Sequence, residues 1–187
     1  MTNELGGGVV FVRDGAVIAS APGRPGAAGR HCRRGQLRRH RRRRGNRGWI
    51  YDGSSRRLVA LSPVGAGLTH AVMLSGDLVA FADTDGGAVF VEHIDPQITQ
   101  LARIEAPDNP YGLAHNVGRT RLYVTLTASN LIDPSEPAKP RMLSDVPTVQ
   151  QPNSVAVEPR SGAVLITRRS PGGGLPQILT EDVLPTG

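Results

Sequence analysis

The segment from Pro110 to Thr125 recurs without a gap as Pro152 to Thr167, at an offset of 42 residues. Pro110 matches Pro152, Leu113 matches Val155, Ala114 matches Ala156, and Leu122-Tyr123-Val124-Thr125 matches Val164-Leu165-Ile166-Thr167. A weaker third copy runs from Thr69-His70-Ala71-Val72-Met73 through Ser75-Gly76-Asp77 to Leu78-Val79-Ala80-Phe81, with about two residues deleted in its turn. Each copy is two apolar runs joined by turn residues, the pattern of a hairpin. A sequence that repeats itself at this spacing must stack like units, because one hairpin cannot bury its own apolar faces.

A period of 40–45 residues with several strands per unit is the pattern of β-propeller blades. In the best-preserved unit the expected strands are 70–74, 78–83, 88–94 after the Asp85-Gly86 turn, and 98–104. The runs Val155-Ala156-Val157 and Val164-Leu165-Ile166 do not alternate between apolar and polar. That suits strands covered on both faces by neighbouring blades. Small residues such as Ala71, Ala114 and Ala156 suit inner strands that converge on an axis. The fold class expected is all-β, a partial β-propeller of about three to four blades with repeats of about 42 residues.

Three segments follow from composition. Residues 1–19 read as a β-hairpin, Val9–Val12 and Ala16–Ala19 about an Asp14-Gly15 turn. Residues 20–48 are almost wholly Arg, Gly, Ala, Pro, His and Gln, with no Val or Ile, and are expected to be disordered. Residues 49–187 form the blades. Of the 22 basic residues, 11 lie between Arg24 and Arg47, where there is no acidic residue. The rest of the chain holds 11 basic against 16 acidic groups, a balance of −5, so the net charge of +6 belongs to one segment.

The residues Asn109-Pro110-Tyr111-Gly112-Leu113-Ala114, followed by Leu122-Tyr123-Val124-Thr125-Leu126, resemble the YVTN-repeat β-propeller proteins. That repeat runs from a Pro-x-x-Val-Ala-Val strand through a glycine turn into a Tyr-Val-Thr-Asn strand. Here Leu126 stands in place of the Asn, and Leu165 in place of the Tyr of the last copy. The resemblance covers roughly residues 58–179. It implies a WD40-like propeller, usually seven-bladed and often exported, with relatives described as lactonase-like or surface-antigen-like. No catalytic motif of such relatives maps onto this chain.

The search for chemistry gives few candidates. There is no Gly-x-Ser-x-Gly elbow and no phosphate loop, and the one lysine is Lys139. Cys32 with His31 and His40 lacks a positioned third metal ligand. Asp83-Thr84-Asp85-Gly86-Gly87 matches only a fragment of a calcium loop and reads as a hairpin turn. No catalytic residue, metal or cofactor is assigned. Asp108, Asn109, His115 and Asn153 are the candidate ligand-binding residues, at or beside the starts of inner strands on the axial face. Asn and Asp there are also turn formers, and a strand histidine is commonly a packed residue. The run Arg38, Arg39, Arg41, Arg42, Arg43 and Arg44 could neutralise phosphates, although no aromatics are interleaved for base stacking. Its composition is also what a GC-rich coding sequence yields in a shifted frame.

The expectation is a non-catalytic binding or interaction module, truncated or frame-disturbed. Its rivals are a lactonase-type propeller hydrolase and a polyanion binder working through the arginines. A protein or small ligand at the axial face is the expected partner. No membrane span is expected, and Met1–Gly6 lacks the features of a signal peptide, so the chain as written reads as cytoplasmic. Two structural expectations complete the reading. Pro134, Pro137, Pro140 and Pro147 should reduce that blade's outer half to a loop, with one short strand at most near 141–143. The strand 9–12 should lie beside 175–179 and close the last blade.

Overall fold

The computed structural model describes residues 8–22, 47–94, 97–128, 131–135, 140–168 and 176–184. The described residues form fifteen strands and one 3-10 turn. The chain divides into two compact units, residues 1–42 with 49–60, and residues 43–48 with 61–187. The arginine run and Cys32 lie outside the described residues.

In the first unit, β1 (Gly8–Arg13) and β2 (Ala16–Pro22) pair antiparallel about the Asp14-Gly15 turn. Both turn residues have positive φ, 50° and 77°, as a tight two-residue hairpin demands. Phe11 meets Tyr51 edge-on, and Tyr51 stacks on Trp49. β3 (Arg47–Tyr51) and β4 (Leu58–Pro63) form a two-stranded sheet whose residues are shared between the units.

The second unit holds three antiparallel sheets in sequence order. The first is β5 (Leu68–Ser75), β6 (Leu78–Asp83), β7 (Ala88–His93) and β8 (Thr99–Glu105). The middle sheet is β9 (Pro110–Asn116), β10 (Arg121–Leu126), β11 (Leu131–Ser135) and β12 (Val146–Pro147). The last is β13 (Pro152–Val157), β14 (Val164–Arg168) and β15 (Gln177–Leu179). The inner strands β5, β9 and β13 pack side by side.

The proline-rich segment departs from expectation. A five-residue β11 pairs along β10 and contains Pro134, and β12 completes a four-stranded sheet. Near 141–143 there is only an isolated bridge at Met142. The reason is positional: β12 engages Leu131 and Ile132 alone, so β11 is an edge strand by the time it reaches Pro134. A missing amide donor is tolerated on an edge.

The core lies between the sheets. Ala80, Ala82, Val89, Val91 and Ile104 of the first sheet pack against Leu113, Leu122, Val124 and Leu126 of the middle one. On its other face the middle sheet offers Ala114 and Tyr123 to Val155, Val164, Ile166 and Leu179 of the last. All six residues of β10 are therefore buried, which is why its sequence does not alternate. The first sheet's other face carries Ala88 and Phe90, packed with Val64. In the last sheet the row Ala156–Leu165–Ile178 runs in register across three strands on the face away from this core. Ala71, expected among the small inner-strand residues, is exposed, and Val72 packs against the core instead.

Candidate functional site

The turns that begin the inner strands carry most of the polar structure. Asp83 is buried, and its carboxylate accepts from the main-chain amides of Ala66 (2.8 Å), Gly67 (2.6 Å) and Gly86 (3.1 Å). This ties the entry to β5 to the turn after β6, so the run 83–87 is a turn held by its own aspartate. The Thr84 hydroxyl donates to the carbonyl of Pro110 at 2.5 Å and lies 2.7 Å from the hydroxyl of Thr69. In the middle sheet the Thr127 amide and hydroxyl both donate to the carbonyl of Asn109, and the Ala128 amide donates to that of Asp108.

These turns surround an open groove of about 550 Å³ lined by Thr84, Asp85, Asn109, Tyr111, Thr127, Ala128, Gln151 and Asn153. The lining has an internal order. Asn109 and Gln151 are 42 residues apart, as are Tyr111 and Asn153. Thr84 and Thr127 follow equivalent second strands, as do Asp85 and Ala128. Four positions of the repeat thus each contribute twice. Asn109 and Gln151 share a left-handed backbone, with φ of 55° and 50°, and each precedes a proline. That conformation is uncommon outside glycine and costs glutamine more than asparagine. Asp85 is the charged residue of the lining, and none of the eight is basic.

Of the residues singled out from sequence, Asn109 and Asn153 meet in this groove. Asp108 does not line it; its carbonyl is engaged in the turn. His115 lies six residues along β9 from Asn109, about 20 Å at the rise of a strand. Its ring nitrogens make no well-formed hydrogen bond, and burial holds its pKa below the usual histidine range, opposed by the nearby main chain of Met73 and Leu74. Its side chain is half-buried on β9. Sequence reasoning missed Thr84, Asp85, Tyr111, Thr127, Ala128 and Gln151. The repeat itself held the signal, since adding 42 to Asn109 gives Gln151 and subtracting it from Asn153 gives Tyr111.

A second cleft, about 470 Å³, lies between residues 144–147 and 181–184. Of its three carboxylates, Glu181 pairs with Arg119, and Asp182 accepts from the Thr180 hydroxyl, which lowers its pKa. No helix among the described residues is long and apolar enough to cross a membrane.

No family model and no curated protein matches the sequence. Solved structures do resemble the fold. The β-propeller domain of Myceliophteria thermophila Cps50 (Swd1) superposes with a TM-score of 0.55 at 11% identity, over 65% of this chain and 41% of that one. The fold is a partial β-propeller. Hydrazine synthase of Kuenenia stuttgartiensis is similar at a TM-score of 0.55 and 11% identity, over 62% of this chain and 32% of that one. The dihydro-heme d1 dehydrogenase NirN is similar at 0.57 and 18%, over 72% and 33%. This chain thus spans about a third to two fifths of the length of these proteins, and the three sheets of its second unit are propeller blades.

Proposed function

We propose that this protein is a non-catalytic β-propeller module of the YVTN-repeat kind that binds a small polar ligand in the groove at the start of its inner strands. One observation carries the reading: repeat-equivalent residues of successive blades converge on a single groove. Turn-forming alone requires small or flexible residues at positions 109 and 151. Glycine would adopt the left-handed backbone there without steric penalty, yet both positions carry an amide side chain that lines the groove. Non-glycine residues held in left-handed conformation concentrate at ligand clamps.

The groove's volume falls within the range of roughly 300–1,000 Å³ usual for small-molecule sites. Its side chains are mainly amides and hydroxyls, groups that donate and accept hydrogen bonds and exchange no proton near neutral pH. Such a lining recognises a ligand rather than transforming it.

The test is amide-shift mapping of the 15N-labelled full chain against a library of small polar fragments. Shifts clustering at residues 84–85, 109–111, 127–128 and 151–153 are expected. A library whose hits map elsewhere, or that yields no hit, overturns the reading.

A further inference from the structure

The groove's two sets of equivalent residues differ in a way that specifies the ligand further, an inference that rests on the binding reading above. One set, at the junction of the first and middle blades, is Thr84, Asp85, Asn109 and Tyr111. The other, at the junction of the middle and last blades, is Thr127, Ala128, Gln151 and Asn153. We propose that the groove binds a neutral oligosaccharide of at least two sugar rings, one ring at each blade junction.

Three features carry this. First, none of the eight lining residues is basic, so a phosphorylated or carboxylated ligand would find no cationic side chain in the lining to pair with. Second, the polar groups are planar amides, hydroxyls and one carboxylate. An amide presents a donor beside an acceptor, and a sugar's vicinal hydroxyls present the same pair in return. Third, Tyr111 supplies a ring, apolar on its faces and polar at its tip, suited to cover the C–H face of a pyranose. The duplication explains the length. A single sugar would leave one set of polar residues unused, whereas two linked rings engage both.

A peptide is the nearest competitor. Extended peptides gain most of their affinity by adding to a free sheet edge. This groove lies at the ends of inner strands, and the carbonyls of Asp108, Asn109 and Pro110 are taken by Ala128, Thr127 and Thr84. The main chain there offers little to a peptide backbone.

The experiment measures binding of the full chain to cellobiose, maltose, lactose, glucose, glucose 6-phosphate and tetraglycine by saturation-transfer NMR. Two variants accompany it, Asn109→Gly and Gln151→Gly. Glycine keeps the left-handed backbone at each position, so both should fold as the parent does, checked by circular dichroism and Tm. At least one disaccharide is expected to bind tenfold or more tighter than glucose, and glucose 6-phosphate no tighter than glucose. Each variant should weaken that disaccharide about tenfold, the loss of one good hydrogen bond. Binding of no disaccharide overturns the proposal. So does tighter binding of tetraglycine or the phosphosugar, or disaccharide binding untouched by both variants. If tetraglycine binds instead and shifts the groove amides, the sugar class fails while the groove remains the binding site. If fragment mapping also finds nothing there, both readings fail together.

Discussion

The hydroxyl of Thr84 donates to the main-chain carbonyl of Pro110 at 2.5 Å, linking the end of a second strand in one blade to the first residue of the inner strand in the next. A carbonyl only accepts, so the Thr84 proton is committed to Pro110 and the Thr69 hydroxyl, 2.7 Å away, donates to Thr84 in turn. Thr84 is 7% exposed. Thr84→Val keeps the shape and takes this donor from the Pro110 carbonyl, while the Thr69 hydroxyl can turn to the carbonyls of Ala82 and Tyr111, which should cost about 1–3 kcal/mol. At the equivalent position Thr127 bonds within its own blade and is more open to water. Thr127→Val should cost under about 1 kcal/mol. Urea denaturation of the two variants checks the difference; equal losses would contradict the inter-blade role of Thr84.

Gly112 faces the last blade's backbone. A Cβ there would lie 3.0 Å from the Asn153 carbonyl oxygen, 3.1 Å from Thr125 Oγ1 and 3.2 Å from Ser154 Cα. None of these is a flexible side-chain end, so Gly112→Ala must push the two blades apart, at about 1–3 kcal/mol. Gly53→Ala is the control, since nothing lies within 4 Å of its added methyl. Its Tm should hold or rise while that of Gly112→Ala falls. A Gly112→Ala Tm equal to the parent's would show the blades are less closely packed there.

How much of this could be read from sequence follows from what each feature depends on. The period of 42 exposed the inner pair of strands because their apolar runs recur at equivalent positions, as Leu122-Tyr123-Val124 and its copy Val164-Leu165-Ile166 do. The constraint is strictest in β10, which is buried along its whole length and so admits few residue types. The outer strands were less legible. β11 was lost behind Pro134 because edge pairing depends on which neighbour is present, which a local pattern does not encode. The groove was half legible. Asn109 and Asn153 stood out as polar residues beside inner strands, whereas Gln151 and Tyr111 emerge only when the repeat is read as a positional code. Asp108 and His115 looked equally suitable, and only the direction of the turn and the length of β9 separate them from the groove.

Stability should fall as the solution is acidified below neutrality. Burial lowers the pKa of both His70 and His115 from the ordinary value of 6.5. In the unfolded chain each histidine titrates near that value, so below it the unfolded state binds more protons than the folded one. Stability is then full above about pH 6.5 and drains away as the pH drops toward the folded values. Glu92, whose pKa burial raises, acts in the opposite sense in the acid range. Melting at pH 7.5, 6.5 and 5.5 should show a falling Tm, and the His70→Gln/His115→Gln double variant a shallower one. An identical slope in the double variant would remove these histidines from the account.

Tyr123 and Leu165 occupy the same position of successive repeats and meet opposite fates. Tyr123 is fully buried because the last blade covers it with Val155, Val164 and Ile166. Leu165 sits half-buried in the row Ala156–Leu165–Ile178, where Ile178 is 58% exposed. Burial rather than residue type therefore sets the cost of truncation. Tyr123→Ala opens a cavity between two blades and should cost about 3–5 kcal/mol, as large-to-small changes in a packed core do. Leu165→Ala leaves no enclosed cavity and gives up only the area it now covers, about 1 kcal/mol or less. Chemical denaturation of both variants should show this gap of several-fold in lost stability. Equal losses would mean that the face of the last blade is covered in solution as fully as the interior one.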